Sequence, residues 1–230
     1  MKLYEILLKK AGFGKKPGAM SEYDKIYNPI GCMIGSVLKV NFLDYLRYRF
    51  VVTEIWDYTV PLNGSEYKMV DYVLEARAAG EDPFTCRLRL VPDEDSASSV
   101  SHRAMLMTLY DDLAYNEDLH AVVRDDTLQF VVDSDDEENP EHSEFWRVND
   151  VRMSFEARVR ILVDQNSDGK LEESEVSTAT IEFWDYFRNT EVDGEPADEF
   201  LFVEMNKKDG WFTIWRGLEV EAFQVDVVEA

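Results

Sequence analysis

The sequence predicts an α+β protein that is mainly antiparallel β. Two related three-strand meanders are expected, with a helical segment between them and a short N-terminal helix. Three observations carry this. Runs rich in β-branched and aromatic residues are closed by turn dipeptides such as Asn63-Gly64 and Asp209-Gly210. One window, 104–113, repeats its apolar residues at helical spacing. Two stretches of chain resemble each other at a constant offset.

In chain order, residues 1–11 place Leu3, Ile6 and Leu7 on one helical face, and Gly12 ends the pattern. Residues 12–18, with Pro17 and Gly18, read as a linker. The stretch 50–58 is dense in β-formers, 67–76 is its return strand, and 84–91 a third strand after the Glu81-Asp82-Pro83 turn. Ala104, Leu106, Met107, Leu109, Tyr110 and Leu113 then suggest a helix capped by Ser99 or Ser101. Asn116, followed by Glu117 and Asp118, has the pattern of a second N-cap, because its side chain can accept from orphan backbone N–H groups and acids favour the positive end of the helix dipole. Strands follow at 127–132 and 145–148. From Met153 to Val163 apolar residues alternate, which marks a half-buried strand. Further strands are expected at 178–187, 199–204, 211–215 and 220–228.

The repeat pairs Glu54-Ile55-Trp56-Asp57-Tyr58 with Glu182-Phe183-Trp184-Asp185-Tyr186, and at the same offset Asp71-Tyr72 with Glu199-Phe200. It divides the chain into 1–27 (basic helix and linker), 28–98 (first meander unit), 99–126 (helical segment) and 127–230 (second meander unit). Residues 28–230 are expected to form one body.

The formal net charge of −23 disfavours nucleic acid and anionic membranes as partners of the body, because phosphates would be repelled. It favours cations and basic partners. The N-terminal tip is the exception, with Lys2, Lys9, Lys10, Lys15 and Lys16 against Glu5. Such a tip suits docking on a protein partner, peripheral membrane contact, or folding back onto the acidic body. No apolar run reaches the ~18 residues of a membrane helix. Two distant cysteines, Cys32 and Cys86, point to a reducing, cytoplasmic setting rather than a disulfide framework.

One stretch names a chemistry. Asp164-Gln165-Asn166-Ser167-Asp168-Gly169-Lys170-Leu171-Glu172-Glu173-Ser174-Glu175 has oxygen-bearing side chains at alternate positions, a glycine at the bend and a closing acid. It resembles the calcium loop of the EF-hand family over these twelve residues. The resemblance implies calcium as cofactor. Asp164, Asn166 and Asp168 would be side-chain ligands, Lys170 would give its carbonyl, Glu172 would act through water, and Glu175 would close the site with both oxygens. Gly169 would permit the sharp turn. The flanks depart from the family. An alternating strand precedes the loop, and Val176-Ser177-Thr178-Ala179-Thr180 opens an exiting helix poorly. The expected setting is therefore strand–loop–strand.

Other candidate residues are weaker. Glu54, Trp56 and Tyr58 share a strand face, as do Glu182, Trp184 and Tyr186, a pattern that fits core aromatics beside a rim carboxylate and also a ligand pocket. His102, His120 and His142 make no metal-spaced pair and read as ordinary surface or helix residues. No nucleophile elbow, P-loop or dinucleotide fingerprint occurs. The expectation is a non-catalytic calcium-binding or calcium-stabilised β-rich protein. The alternative is a protein-interaction module that docks through its N-terminal basic helix or acidic surface, with no functional metal.

Overall fold

Extended chain dominates the computed structural model, which describes residues 32–62, 65–92, 102–125, 127–131, 142–148, 153–163, 172–192, 195–220 and 225–229. Its strands are β1 (Val37–Val40), β2 (Arg49–Leu62), β3 (Ser65–Arg77), β4 (Phe84–Pro92), β5 (His102–Ala114), β6 (Thr127–Val131), β7 (His142–Arg147), β8 (Met153–Val163), β9 (Glu172–Val192), β10 (Glu195–Asn206), β11 (Trp211–Val220) and β12 (Val225–Glu229). Among the described residues the only other elements are a 3-10 turn, Leu43–Arg47, and one helix, α1 (Glu117–Val122).

The α+β expectation is therefore overturned: the fold is nearly all antiparallel β. The window read as a helix at 104–113 is strand β5. Two things remove the strand period. Ala104, Met105, Leu106 and Met107 are buried on both faces, and the apolar Leu109 and Tyr110 are exposed, so apolar residues do not alternate, and a strand without alternation cannot be told from a helix by period alone. The expected N-terminal helix over 1–11 lies outside the described residues. The second cap stands where the sequence puts it: Asn116 Oδ1 accepts from the Asp118 N–H at 2.8 Å and the Leu119 N–H at 3.2 Å, opening α1.

The chain divides into two compact units. Unit 1 takes the chain to Leu106, Glu156–Ala179 and the chain from Val220; unit 2 takes Met107–Phe155 and Thr180–Glu219.

In unit 1 the strand order is β12-β1-β2-β3-β4, followed by the first residues of β5. Strand β2 uses one edge for two partners. Val51 and Phe50 pair with β1, whereas Glu54 to Thr59 pair with β8. A register shift between Val52 and Glu54 marks the change, as expected of a bulge, which ends one pairing and re-aims the strand. One face of this sheet buries Leu38, Phe50, Val52, Ile55, Tyr72, Leu74, Cys86 and Leu88. The turn before β4 is reached through Gly80, whose φ of +83° favours glycine over a residue with a side chain.

In unit 2 the pairings run β11-β10-β9-β7-β6. The core gathers Leu128, Phe145, Trp184, Tyr186, Leu201, Val203, Phe212 and Ile214 beneath α1, which contributes the following residue, Val123. Gly210, with φ +68°, turns the chain from β10 into β11, and its carbonyl accepts from the Tyr115 N–H at 2.7 Å.

The register separates the two repeated stretches. Trp56 stands opposite Asp71, whereas Trp184 stands opposite Val203. The residue at the repeat position of Asp71 is Glu199, four places earlier on β10, and it stands opposite Arg188. The same sequence pattern is thus mounted on hairpins with different registers, and its polar residues meet different neighbours.

Candidate functional site

The calcium-type stretch occupies the connection between β8 and β9, which pair with each other. Asp164, Asn166, Asp168 and Lys170 lie outside the described residues. Glu172 and Glu175 fall at the start of strand β9. The first eight residues of the pattern lie between β8 and β9 in sequence, and its last four begin β9. Among the described residues, no group of three or more His, Cys, Asp and Glu is placed to hold a metal ion.

Two buried carboxylates stand out among the described residues. The first is Asp71, fully buried on β3. It arises from a cross-strand row. Trp56 on β2 and Arg89 on β4 are the direct partners of Asp71, with Tyr58 and Arg87 diagonal to it. Arg89 grips the carboxylate with two hydrogen bonds, Nε to Oδ1 at 2.9 Å and Nη2 to Oδ2 at 2.8 Å. Arg87 Nη1 donates to Oδ2 at 3.2 Å and the Tyr58 hydroxyl at 3.0 Å. The guanidinium of Arg87 lies 5.2 Å from the Trp56 ring centre, and Trp56 Nε1 donates to Glu54 at 2.7 Å. Burial pushes the Asp71 carboxyl up, but the charge and hydrogen bonds of Arg89, the charge of Arg87 and the Tyr58 hydrogen bond together outweigh it and hold the group below its usual range. A planar fork on a carboxylate is the strong form of ion pair. Its chemistry is that of a locked anion, with no proton to exchange near neutral pH.

The second is Glu182 on β9, also fully buried. Its neighbours come from three elements. The Lys207 N–H donates to the Thr180 carbonyl at 3.2 Å, which brings the turn after β10 over β9 and sets Lys207 Nζ 2.7 Å from Glu182 Oε1. His120 in α1 places Nε2 4.0 Å from Glu182 Oε2. The ring of His120 is packed among aromatics: Tyr115 at 5.6 Å, Trp184 edge-on at 5.8 Å and Phe212 at 6.1 Å. Arg124 Nη2 lies 3.1 Å from His120 Nε2, and the Tyr115 hydroxyl 3.3 Å from Nδ1. The indole N–H of Trp184 is buried and meets no hydrogen-bond acceptor among the described residues.

Unit 1 also carries a groove of about 340 Å³ at the β2 bulge, lined by Ile34, Gly35, Val51, Val52, Thr53, Glu54 and Ile161. Cys32 and Cys86 are buried thiols. Burial pushes Cys32 up to about 12 and Cys86 higher still, so neither has the thiolate character of a reactive cysteine. Among the described residues no helix is long and apolar enough to cross a membrane.

Sequence reasoning found Glu54, Trp56 and Tyr58 on one strand face, and this is where β2 holds them. It placed Glu182 at a rim, whereas the structure buries it. It missed His120 as a partner of Glu182, and Asp71 as the anchor of two arginines. Only the Asp71 cluster left a trace: Arg87 and Arg89 alternate with the buried Cys86, Leu88 and Leu90, and two arginines at strand spacing need an acid on the neighbouring strand. No protein-family model, curated protein or solved structure matches this chain.

Proposed function

We propose that this chain is a non-catalytic calcium-binding or calcium-stabilised β protein, with its metal loop in the β8–β9 connection. The observation that supports this is the placement of the EF-hand-like pattern. Its Asp164, Asn166, Asp168 and Lys170 fall in the short interval of sequence between two paired strands, and calcium would neutralise the acids of that interval. Asp164, Asn166, Asp168 and the Lys170 carbonyl form the ligand nucleus. Glu172 acts through water and Glu175 closes the site with both oxygens. An unpaired loop on a hairpin binds weakly, with Kd about 10⁻⁴ M or above. The metal's role is to fix the turn.

Titration calorimetry of the chelator-treated protein, paired with a thermal melt, tests this reading. Calcium should release or absorb heat at one site and raise Tm, because a ligand that binds only the folded state stabilises it. Asp164→Ala and Asp168→Ala should remove both effects. Absence of a calcium heat in the unmodified protein, or full retention of binding in Asp164→Ala, sinks the proposal.

A further inference from the structure

The cluster around Glu182 carries a second reading, independent of calcium. An arginine side chain has N–H donors and no acceptor. With Arg124 Nη2 3.1 Å from His120 Nε2, that ring nitrogen must be the acceptor, and it carries no proton. The proton of the neutral ring is then on Nδ1, directed at the Tyr115 hydroxyl 3.3 Å away. Meanwhile Glu182 presents Oε2 4.0 Å from the same Nε2, while its Oε1 is held at 2.7 Å by Lys207.

We propose that His120 and Glu182 form a proton-operated switch in unit 2. The neutral imidazole accepts from Arg124 through Nε2; on protonation the same nitrogen becomes a donor, releases Arg124 and closes on Glu182. One nitrogen cannot serve both partners, because the first needs a lone pair and the second needs a proton. Among the described residues, charged and titratable groups face the ring from each surrounding element. They are Tyr115 before α1, Arg124 after it, Glu182 on β9 and Lys207 in the turn that follows β10. The carboxylate is fixed by Lys207 and by its burial, so the ring and α1 make the movement. α1 is tied to the sheet just past its end, where Tyr186 Oη donates to the Val123 carbonyl at 2.6 Å and Arg147 Nη1 to the Arg124 carbonyl at 2.9 Å. Acidification therefore swings the His120 end of α1 inward about that tether and sets the Arg124 side chain loose.

Side-chain nitrogen NMR of the full chain, which has only three histidines, tests this from pH 8 to pH 5. At pH 8 His120 should show the Nδ1–H tautomer. On acidification an Nε2–H signal should appear with the shift of a charge-assisted hydrogen bond, and Glu182→Gln should remove that shift. Arg124→Ala alters an exposed side chain and leaves the core intact. It should move the His120 titration midpoint to higher pH and admit the Nε2–H tautomer at pH 8. Acid quenching of tryptophan fluorescence should be lost in His120→Gln, since the imidazole lies in a T-shaped contact with Trp184, ring centres 5.8 Å apart. The proposal is overturned if His120 is the Nε2–H tautomer at pH 8 in the unmodified chain, or if Arg124→Ala leaves its tautomer and midpoint unchanged.

Discussion

Asp71 in unit 1 and Glu182 in unit 2 are both carboxylates with no solvent exposure, yet they have been buried by opposite means. Asp71 is met by two arginines that are themselves nearly buried, with side chains 6% and 2% exposed, and by a tyrosine hydroxyl. Glu182 is met by a lysine that is 45% exposed and a histidine that is 14% exposed. Removing a charge from water costs several kcal/mol, and the cost is offset only when hydrogen bonds satisfy the group. Arginine can do this permanently, since it stays charged at any accessible pH and its fork matches the carboxylate. Lysine at the surface can exchange with water, and histidine can change its charge. The first cluster is an anchor and the second is adjustable.

The largest expected effect separates them directly. Asp71→Ala leaves Arg87 and Arg89 buried around an empty place and should cost about 3–5 kcal/mol of unfolding free energy, read from the denaturant midpoint at constant slope. Glu182→Gln keeps the shape and leaves Lys207 free to hydrate, so it should cost about 1–2 kcal/mol in the same assay. Equal losses in the two variants would erase the distinction. Acid offers a second contrast. The Asp71 carboxyl has a folded-state pKa below its unfolded value, so its contribution is present above about pH 4 and is lost as the pH falls through the folded value. Asp71→Asn should therefore flatten the acid limb of the stability profile below about pH 4.

The paired tyrosines give a smaller test of the same comparison. Tyr58 donates to a charged carboxylate, whereas Tyr186 donates to the Val123 carbonyl. Tyr58→Phe should cost about 1.5–3 kcal/mol and Tyr186→Phe about 0.5–1.5 kcal/mol, because hydrogen bonds to charged groups are the stronger kind. The opposite order would show that the register difference has no energetic consequence. The mildest probe is chemical. Cys32 and Cys86 should resist alkylation in the native protein at pH 8 and react once it is unfolded, since burial holds both thiols protonated. Rapid native labelling of either would mean that the unit 1 core opens readily.

Much of the strand pattern was legible in the chain. The β-formers of 50–58, the Glu81-Asp82-Pro83 turn and the alternation from Met153 to Val163 each act through neighbours in sequence, and β2, β4 and β8 stand there. The Asn116 cap is equally local. The misreading at β5 has a physical cause visible in its burial: Ala104 and Leu106 pack into the unit 1 core and Met105 and Met107 are buried too, while the apolar Leu109 and Tyr110 are exposed, so apolar and polar residues do not follow the strand period.

The repeated Glu-x-Trp-x-Tyr stretches define the boundary between what sequence determines and what it leaves open. By itself the sequence determined that both stretches are extended, that their aromatics share a face, and that residues 164–175 carry oxygen-bearing side chains in the pattern of an EF-hand-like loop. Tertiary structure alone decided which residue stands across the strand. A hairpin register differing by four residues gave Trp56 an aspartate and Trp184 a valine. It also brought His120 and Lys207 onto Glu182 from distant positions in the chain. Local pattern depends on backbone and side-chain preferences over a few residues, whereas the environment of a buried charge depends on register and on the packing of remote elements, which no local preference encodes.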